Sequence, residues 1–428
     1  MGIQQDQICL PKEITMNNQA LCNSVTTFYA PLWTGDYKKF ISAITADRRY
    51  KRTDKSTVPQ YLIPYITNIF RDDALYLEFS LVDEYFPELS MFDSCFCEGG
   101  SASLSDIRLC CFSTGCLFME FQIEYHNADI DSIADFSYKF KNANKRDTNH
   151  PESTRMIDAI FALIPADTDA VPFHGASHFK NDCKMFHRIF LEKSPEKEVL
   201  TRHLTHLRRG YHREFPIPKI DDAFDMLFSP YDYDHWAGSQ EGLVNIYNLT
   251  DNETTNFYLE NYKPKQLSLN YRFMYLVLLN QRFSAIVFLE KIPQLHTCTR
   301  REREAVNLKI SSLKTVFSFS VVSDDQLYQT IYTKMYSILG IDRLLEDIRD
   351  NEEQLQLLQN NELLNAEKMT STFLFGLSVL SLFSVLVDAA GFFDRIPVLQ
   401  SISTILSAVC LLAIITVYIV WLIRYQKK

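Results

Sequence analysis

The C-terminal sixth of this sequence sets the strongest limit on its fold. From Thr370 to Val387 no ionisable residue occurs, and a second uncharged run extends from Ile396 to Ile423. The first is bounded by Lys368 and Asp388, the second by Arg395 and Arg424. A bilayer core takes about 20 apolar residues in a helix, and both runs meet that length once the first borrows its flanks. Two adjacent helices without a polar face are expected as a membrane hairpin rather than as core helices of a soluble domain. Lys368, Arg424, Lys427 and Lys428 lie at its termini, whereas the connection from Asp388 to Pro397 holds Asp388, Asp394 and Arg395. The basic flanks place both termini in the cytoplasm, as a multi-pass protein of the inner (plasma) membrane.

The first apolar run carries a polar stripe. At about 100° per residue, Ser378, Ser381, Ser384 and Asp388 fall within roughly 120° of arc, with Phe373, Phe375 and Phe383 elsewhere. Such serines either bond back to their own helix and let helices approach, or line water. Asp388 extends the stripe to the membrane exit, where a ring of carboxylates attracts cations, so these four residues are candidate pore-lining residues. One hairpin cannot enclose a pathway, and conduction therefore implies a homo-oligomer around a central axis.

From about Asp324 to Met369 the chain has no proline and one glycine, Gly340. Ile338, Ile341, Leu345, Ile348 and Leu355 follow steps of three and four, interrupted in series by Glu352 and Gln359. The pattern predicts a stalk helix running without a break into the first span, about 64 residues and about 95 Å long. The stalk either carries motion from the cytosol to the pore or serves only to oligomerise.

The remainder has globular composition. It belongs to a chain of 428 residues that is 46% hydrophobic, with 31 Phe and 22 Tyr against 12 Gly. With 43 basic and 53 acidic residues the formal charge is -10, which offers no general attraction to nucleic acid. Ile107–Phe112 and Cys116–Tyr125 around Ser113-Thr114-Gly115 read as a hairpin, and Val25–Trp33 and Ala74–Val82 as further strands. Asp129–Lys141, Thr154–Leu163, Asp182–Lys193 and Thr299–Val316 read as helices, and Tyr271–Leu289 as a strongly apolar helix or strand. The expected organisation is a mixed α/β cytosolic domain over 1–265, a helical region with the stalk over 266–369, and a transmembrane hairpin with a basic tail over 370–428. The N-terminus lacks the pattern of a signal peptide, and the ten cysteines are expected as reduced thiols.

This layout of α/β domain, long helix running into an inner span, short loop, second span and basic tail resembles the CorA family of divalent-cation channels. The resemblance implies a pentamer and a divalent cation as transported ion. The family's Gly-Met-Asn at the outer end of the first span is replaced here by Asp388-Ala389-Ala390-Gly391-Phe392, which removes the site for hydrated magnesium. Diverged CorA-like proteins without this motif look like the membrane effectors of type III CRISPR systems. That likeness implies gating by a nucleotide second messenger, such as the conjugate of S-adenosylmethionine and AMP, in antiviral defence.

No P-loop, G-x-G-x-x-G, G-x-S-x-G or H-E-x-x-H is found, and no catalytic residue, covalent cofactor or bound metal is expected. The segment 202–213 holds four arginines, three histidines and no acid. Arginine forks match phosphate oxygens and Tyr211 or Phe215 can stack on a base, so Arg202, His203, Arg208, Arg209, Tyr211 and Arg213 are the candidate ligand-binding residues. A solvated basic face or an intersubunit ion-pair patch explains the same run. Ser229–Gly238 reads as an aromatic and acidic loop that either lines a pocket or lies on the surface. His174 with His178, and His203 with His206, have helical spacing for metal ligands, with Asp182 nearby. Three functions are therefore expected in order: a ligand-gated oligomeric channel with a nucleotide sensor, a constitutive CorA-like divalent-cation transporter, and a membrane-tethered metal-dependent enzyme using the His174–His212 cluster.

Overall fold

The computed structural model describes residues 21–96, 100–142, 158–165, 168–173, 182–217, 226–296 and 300–393. The second apolar run, Ile396–Ile423, and the pair His174 and His178 lie outside the described residues, as do residues 154–157 of the expected helix Thr154–Leu163, whose residues 158–162 are helical. The chain divides into two compact units, Met1–Ile348 and Arg349–Lys428.

The first unit is built on a ten-stranded sheet. Its strands are β1 (Leu21–Trp33), β2 (Tyr50–Arg52), β3 (Tyr76–Leu81), β4 (Ser101–Phe112), β5 (Cys116–His126), β6 (Val171–Pro172), β7 (Lys184–Leu191), β8 (Met226–Tyr231), β9 (Asp234–Gly238) and β10 (Gly242–Asn248). The order is β2-β3-β4-β5-β1-β7-β10-β9-β8, with β6 paired to β1. Every pairing is antiparallel except β7 with β10, whose crossover contains a helix and the β8–β9 hairpin. The β4–β5 hairpin turns at Ser113-Thr114-Gly115 as its sequence predicts, with Cys111 opposite Leu117. Gly115 has φ +96°, and a Cβ there would lie 2.6 Å from the Thr34 carbonyl, so the turn requires glycine.

Alternation along the strands feeds two faces. Helix α1 (Tyr37–Ala46) follows β1 and α2 (Pro64–Arg71) precedes β3. Phe28, Leu109, Met119 and Phe121 pack with Phe136 and Phe140 of α3 (Ile130–Lys141) and with Leu204 and Leu207 of α4 (Lys197–Arg209). Asp129 caps α3, its carboxylate accepting from the Ser132 amide at 2.6 Å, a contact worth about 1 kcal/mol. On the opposite face Tyr29 meets Tyr275 edge-on at 5.6 Å and Phe118 meets Phe283 at 5.9 Å. Those partners belong to α6 (Arg272–Lys291), which follows α5 (Glu253–Asn261). The α5–α6 helix, Glu253–Leu295, has the length and apolarity of a membrane span, yet 78% of its apolar window is buried inside the unit. It is a core helix because the sheet covers one side and α7 (Arg300–Val316) and α8 (Gln326–Ile338) pack on it as well.

Three expectations change. Residues 184–191 form a central strand, not a helix. β7 is buried along its whole length, so Met185, Phe186, Ile189 and Phe190 show no period-two alternation and imitate a helical stripe. The first unit runs past residue 265 to Ile348, because α6, α7 and α8 close the second face of the sheet. The long helix is also interrupted, at Gly340, whose φ of +65° ends α8 and lets α9 (Ile341–Phe393) begin. The continuous helix has 53 residues, about 80 Å, instead of 64. Ile338, Ile341 and Ile348 are buried within the first unit, so these positions pack internally and are not part of a free stalk seam.

Candidate ligand pocket

A cavity of about 740 Å³ lies among the β8–β9 hairpin, the segment from Tyr258 to Tyr271, Tyr61 and the first turn of α8. Six of its fifteen lining residues are tyrosines, Tyr61, Tyr231, Tyr233, Tyr258, Tyr271 and Tyr328. Its volume is that of a site for a drug-sized ligand. The hairpin reaches it through a two-residue turn, with Tyr231 opposite Asp234, after a register break that follows Phe228. Such irregularities bend a strand and re-aim its side chains. Opposite, a π-helical turn at Leu267–Tyr271 leads into α6 and precedes the stacking of Tyr271 on Tyr328. The aromatic and acidic segment Ser229–Gly238 thus lines a pocket, one of the two outcomes its sequence allows.

The rings form ordered stacks. Tyr328 lies between Tyr271, 4.0 Å away and inclined by 9°, and Tyr61, 5.6 Å away and inclined by 6°. Tyr231 and Tyr233 form a second parallel pair at 5.2 Å. Tyr271 and Tyr328 are buried, whereas Tyr61, Tyr231 and Tyr258 keep 45%, 54% and 39% of their surface. The accessible rings are therefore the ones available to a ligand.

A buried ion pair forms the pocket's polar wall. Lys263 Nζ is 2.5 Å from Asp234 Oδ1, and the same oxygen accepts from Asn245 Nδ2 at 2.7 Å. The ammonium also sits 5.0 Å over the Tyr247 ring and 5.9 Å over Trp236. Burial pushes the Lys263 ammonium below its ordinary range while Asp234 holds it up. Asp325 caps α8, its Oδ1 accepting from the amides of Leu327 at 2.8 Å and Tyr328 at 3.4 Å. Tyr258 donates to Gln266 Oε1 at 2.7 Å, and burial followed by the charge of Asp234 raises its phenol to about 12.

The basic run 202–213 lies elsewhere and is already engaged. Arg213 Nε pairs with Asp135 Oδ2, and the Arg213 amide donates to Oδ1 of the same carboxylate at 2.9 Å. Arg202 Nη2 lies 3.8 Å and His203 Nε2 3.3 Å from Asp131, and His212 Nε2 lies 3.4 Å from Asp135. Arg208 is fully buried and donates to the Met226 carbonyl at 3.1 Å, while the Arg209 guanidinium lies 6.0 Å over Tyr211. The acids that sequence spacing could not supply come from the facing helix α3, so the run is largely an intramolecular clamp between α3 and α4. His206 Nε2 faces the Phe215 carbonyl at 3.0 Å. Among the described residues no group of three His, Cys, Asp or Glu side chains has the geometry to hold a metal ion.

Ser378, Ser381, Ser384 and Asp388 all lie on α9 and are exposed. Ser378 Oγ donates to the Leu374 carbonyl at 2.9 Å, the local bond that lets a serine sit in an apolar helix. Phe373, Leu374, Leu377, Leu382 and Val385 of the same helix are 47% to 67% exposed. A further buried cluster escaped sequence reasoning. Arg272 Nε is 2.6 and 2.8 Å from the two oxygens of Glu120, and its guanidinium is 3.3 Å from Glu78, all three at most 3% exposed. No family model matches the chain, and no curated protein or solved structure is significantly similar to it.

Proposed function

We propose that the chain is an oligomeric, ligand-gated ion channel of CorA-like layout whose globular unit senses a small ligand in the tyrosine pocket. In this reading the ligand is a nucleotide-type second messenger, such as the S-adenosylmethionine–AMP conjugate of type III CRISPR antiviral defence. The observation that carries it is the make-up of α9: Ile341 and Ile348 are buried in the first unit, while Phe373, Leu374, Leu377, Leu382 and Val385 of the same helix are exposed. An apolar surface of this kind needs lipid or further copies of the chain, and an oligomer around one axis in the inner membrane supplies both. The stripe Ser378, Ser381, Ser384 and Asp388 then faces the axis and passes a cation, with no catalytic step.

Gating follows from α8. Its first turn lines the pocket through Asp325–Thr330, and its last turn ends at Leu339, whose carbonyl accepts from Arg282 Nη1, one residue before the Gly340 break. A ligand that displaces Tyr328 acts on one end of a 13-residue helix whose other end leads into α9. It shifts the closed-to-open equilibrium only by its differential affinity for the two states.

Cation flux into liposomes tests the proposal, with the S-adenosylmethionine–AMP conjugate as probe. Flux is expected only when the probe is present on the side of the globular unit. Flux without it supports the constitutive transporter instead, and no flux in either condition rejects a channel.

A further inference from the structure

We infer that the tyrosine pocket selects the cationic end of its ligand, a planar or ring-bearing group with an ammonium-like head, and discriminates against a ligand whose only charge is anionic. This rests on the pocket being the ligand site and names the chemistry it recognises.

The charged side chains lining the cavity are Asp234, Asp325 and Lys263, which sum to -1. Lys263 is not available to an anion, because its Nζ is already 2.5 Å from Asp234 Oδ1 in a nearly fully buried pair. A phosphate or carboxylate would have to take that lysine from Asp234 and face Asp325 as well. Nor does the positive end of the α8 dipole offer an anion site, since the carboxylate of Asp325 answers it through the Leu327 and Tyr328 amides.

For a cation the same groups are favourable. Both cap bonds fall on Oδ1 of Asp325, which leaves Oδ2 outside the cap. The accessible rings of Tyr61, Tyr231 and Tyr258 carry the negative π-faces to which ammonium groups are drawn. The chain already uses this chemistry on itself, seating the Lys263 ammonium over Tyr247 and Trp236 beside a carboxylate. At about 740 Å³ the cavity far exceeds a bare ammonium ion, so the ligand brings a ring as well as a head.

Three probes that share one ring separate the possibilities: phenyltrimethylammonium, benzyl alcohol and benzoate, titrated by ligand-observed NMR into the full-length protein in an uncharged maltoside detergent. Phenyltrimethylammonium is expected to bind at least tenfold more tightly than benzoate. Asp325→Asn keeps a good helix cap while removing the charge; it should bring that ratio towards one and leave benzyl alcohol unchanged. Tyr231→Ala, at an exposed hairpin position, should weaken the cation severalfold without unfolding the chain. Benzoate binding as tightly as the cation overturns the inference, and so does cation binding that neither variant alters. If benzyl alcohol alone binds, and Tyr231→Ala removes it, the charge selectivity is wrong while the pocket stands. If none of the three binds, the pocket itself is not a ligand site.

Discussion

The Tyr328 ring lies 4.0 Å from that of Tyr271, inclined by 9°, so the first turn of α8 and the start of the core helix α6 meet through two stacked phenols. Both rings are 3% exposed, and Asn270 Nδ2 reaches the Tyr328 hydroxyl at 3.5 Å. The stack therefore joins the pocket wall to the core of the sheet domain.

Truncating that stack should be costly. Tyr328→Ala is expected to lower stability by about 3 kcal/mol, in the range of a buried aromatic deleted from a core. Tyr328→Phe keeps the ring and loses one long hydrogen bond, so its cost should stay below about 1 kcal/mol. Urea unfolding of the detergent-solubilised protein, followed by tyrosine and tryptophan fluorescence, checks both. Equal losses in the two variants would show that the hydroxyl, and not the stack, holds α8 in place.

The buried cluster Arg272–Glu120–Glu78 gives a pH-dependent expectation. Burial raises the Glu78 carboxyl, and the opposing charges of Arg272 and Arg108 together hold it below its ordinary value. A carboxylate with a depressed folded pKa contributes stability above its unfolded value and loses it as pH falls through the folded one. Arg272→Met takes from buried Glu120 its cation and leaves Glu78 only Arg108, whose Nη1 is 3.0 Å away, at about 3 to 5 kcal/mol at pH 7. Protonation relieves the stranded charges, so the gap to the parent should narrow as pH is lowered towards 4.5. A gap that stays constant between pH 7 and 4.5 would mean the loss is one of packing.

Which features were legible follows the same physics. The β4–β5 hairpin was readable because a local turn and period-two alternation specify it, down to the glycine at position 115. β7 was not, because a strand covered on both faces has no alternation to read; even His187 and Arg188 are buried, bonding to Thr26 and Thr27 of β1. The basic run 202–213 was visible as a run, but its partners Asp131 and Asp135 lie some seventy residues away, a pairing that only the packing of α3 on α4 supplies. The pocket was half visible. Segment 229–238 announced itself, whereas Tyr61, Lys263 and Tyr328 come from three separate stretches that the fold alone brings together.

The clamp changes what substitutions in the basic run should do. Arg213→Ala breaks a contact with Asp135, a carboxylate that is itself 5% exposed. Its cost should therefore be about 1 to 3 kcal/mol of stability, the usual penalty of leaving a buried partner unsatisfied. Asp135→Asn in the same chain should recover part of it. Unfolding measured across the double-mutant cycle reads the coupling directly. Additive losses would return Arg213 to the list of solvent-facing or ligand-facing groups.

The pore reading is tested at Asp388. If several copies place this residue around one axis near the membrane exit, each carboxylate adds to a field that concentrates cations there. Asp388→Asn should then lower the cation-over-anion permeability ratio severalfold, with the effect largest at low ionic strength, where screening is weakest. Ser381→Leu, about two turns deeper on the same stripe, should reduce conductance by narrowing and drying the path without altering selectivity. Reversal potentials in planar bilayers separate the two effects, because selectivity moves the potential and conductance does not. If both variants conduct like the parent, the serines serve helix packing, as the bond from Ser378 to the Leu374 carbonyl already does locally, and the conducting face lies elsewhere on the oligomer.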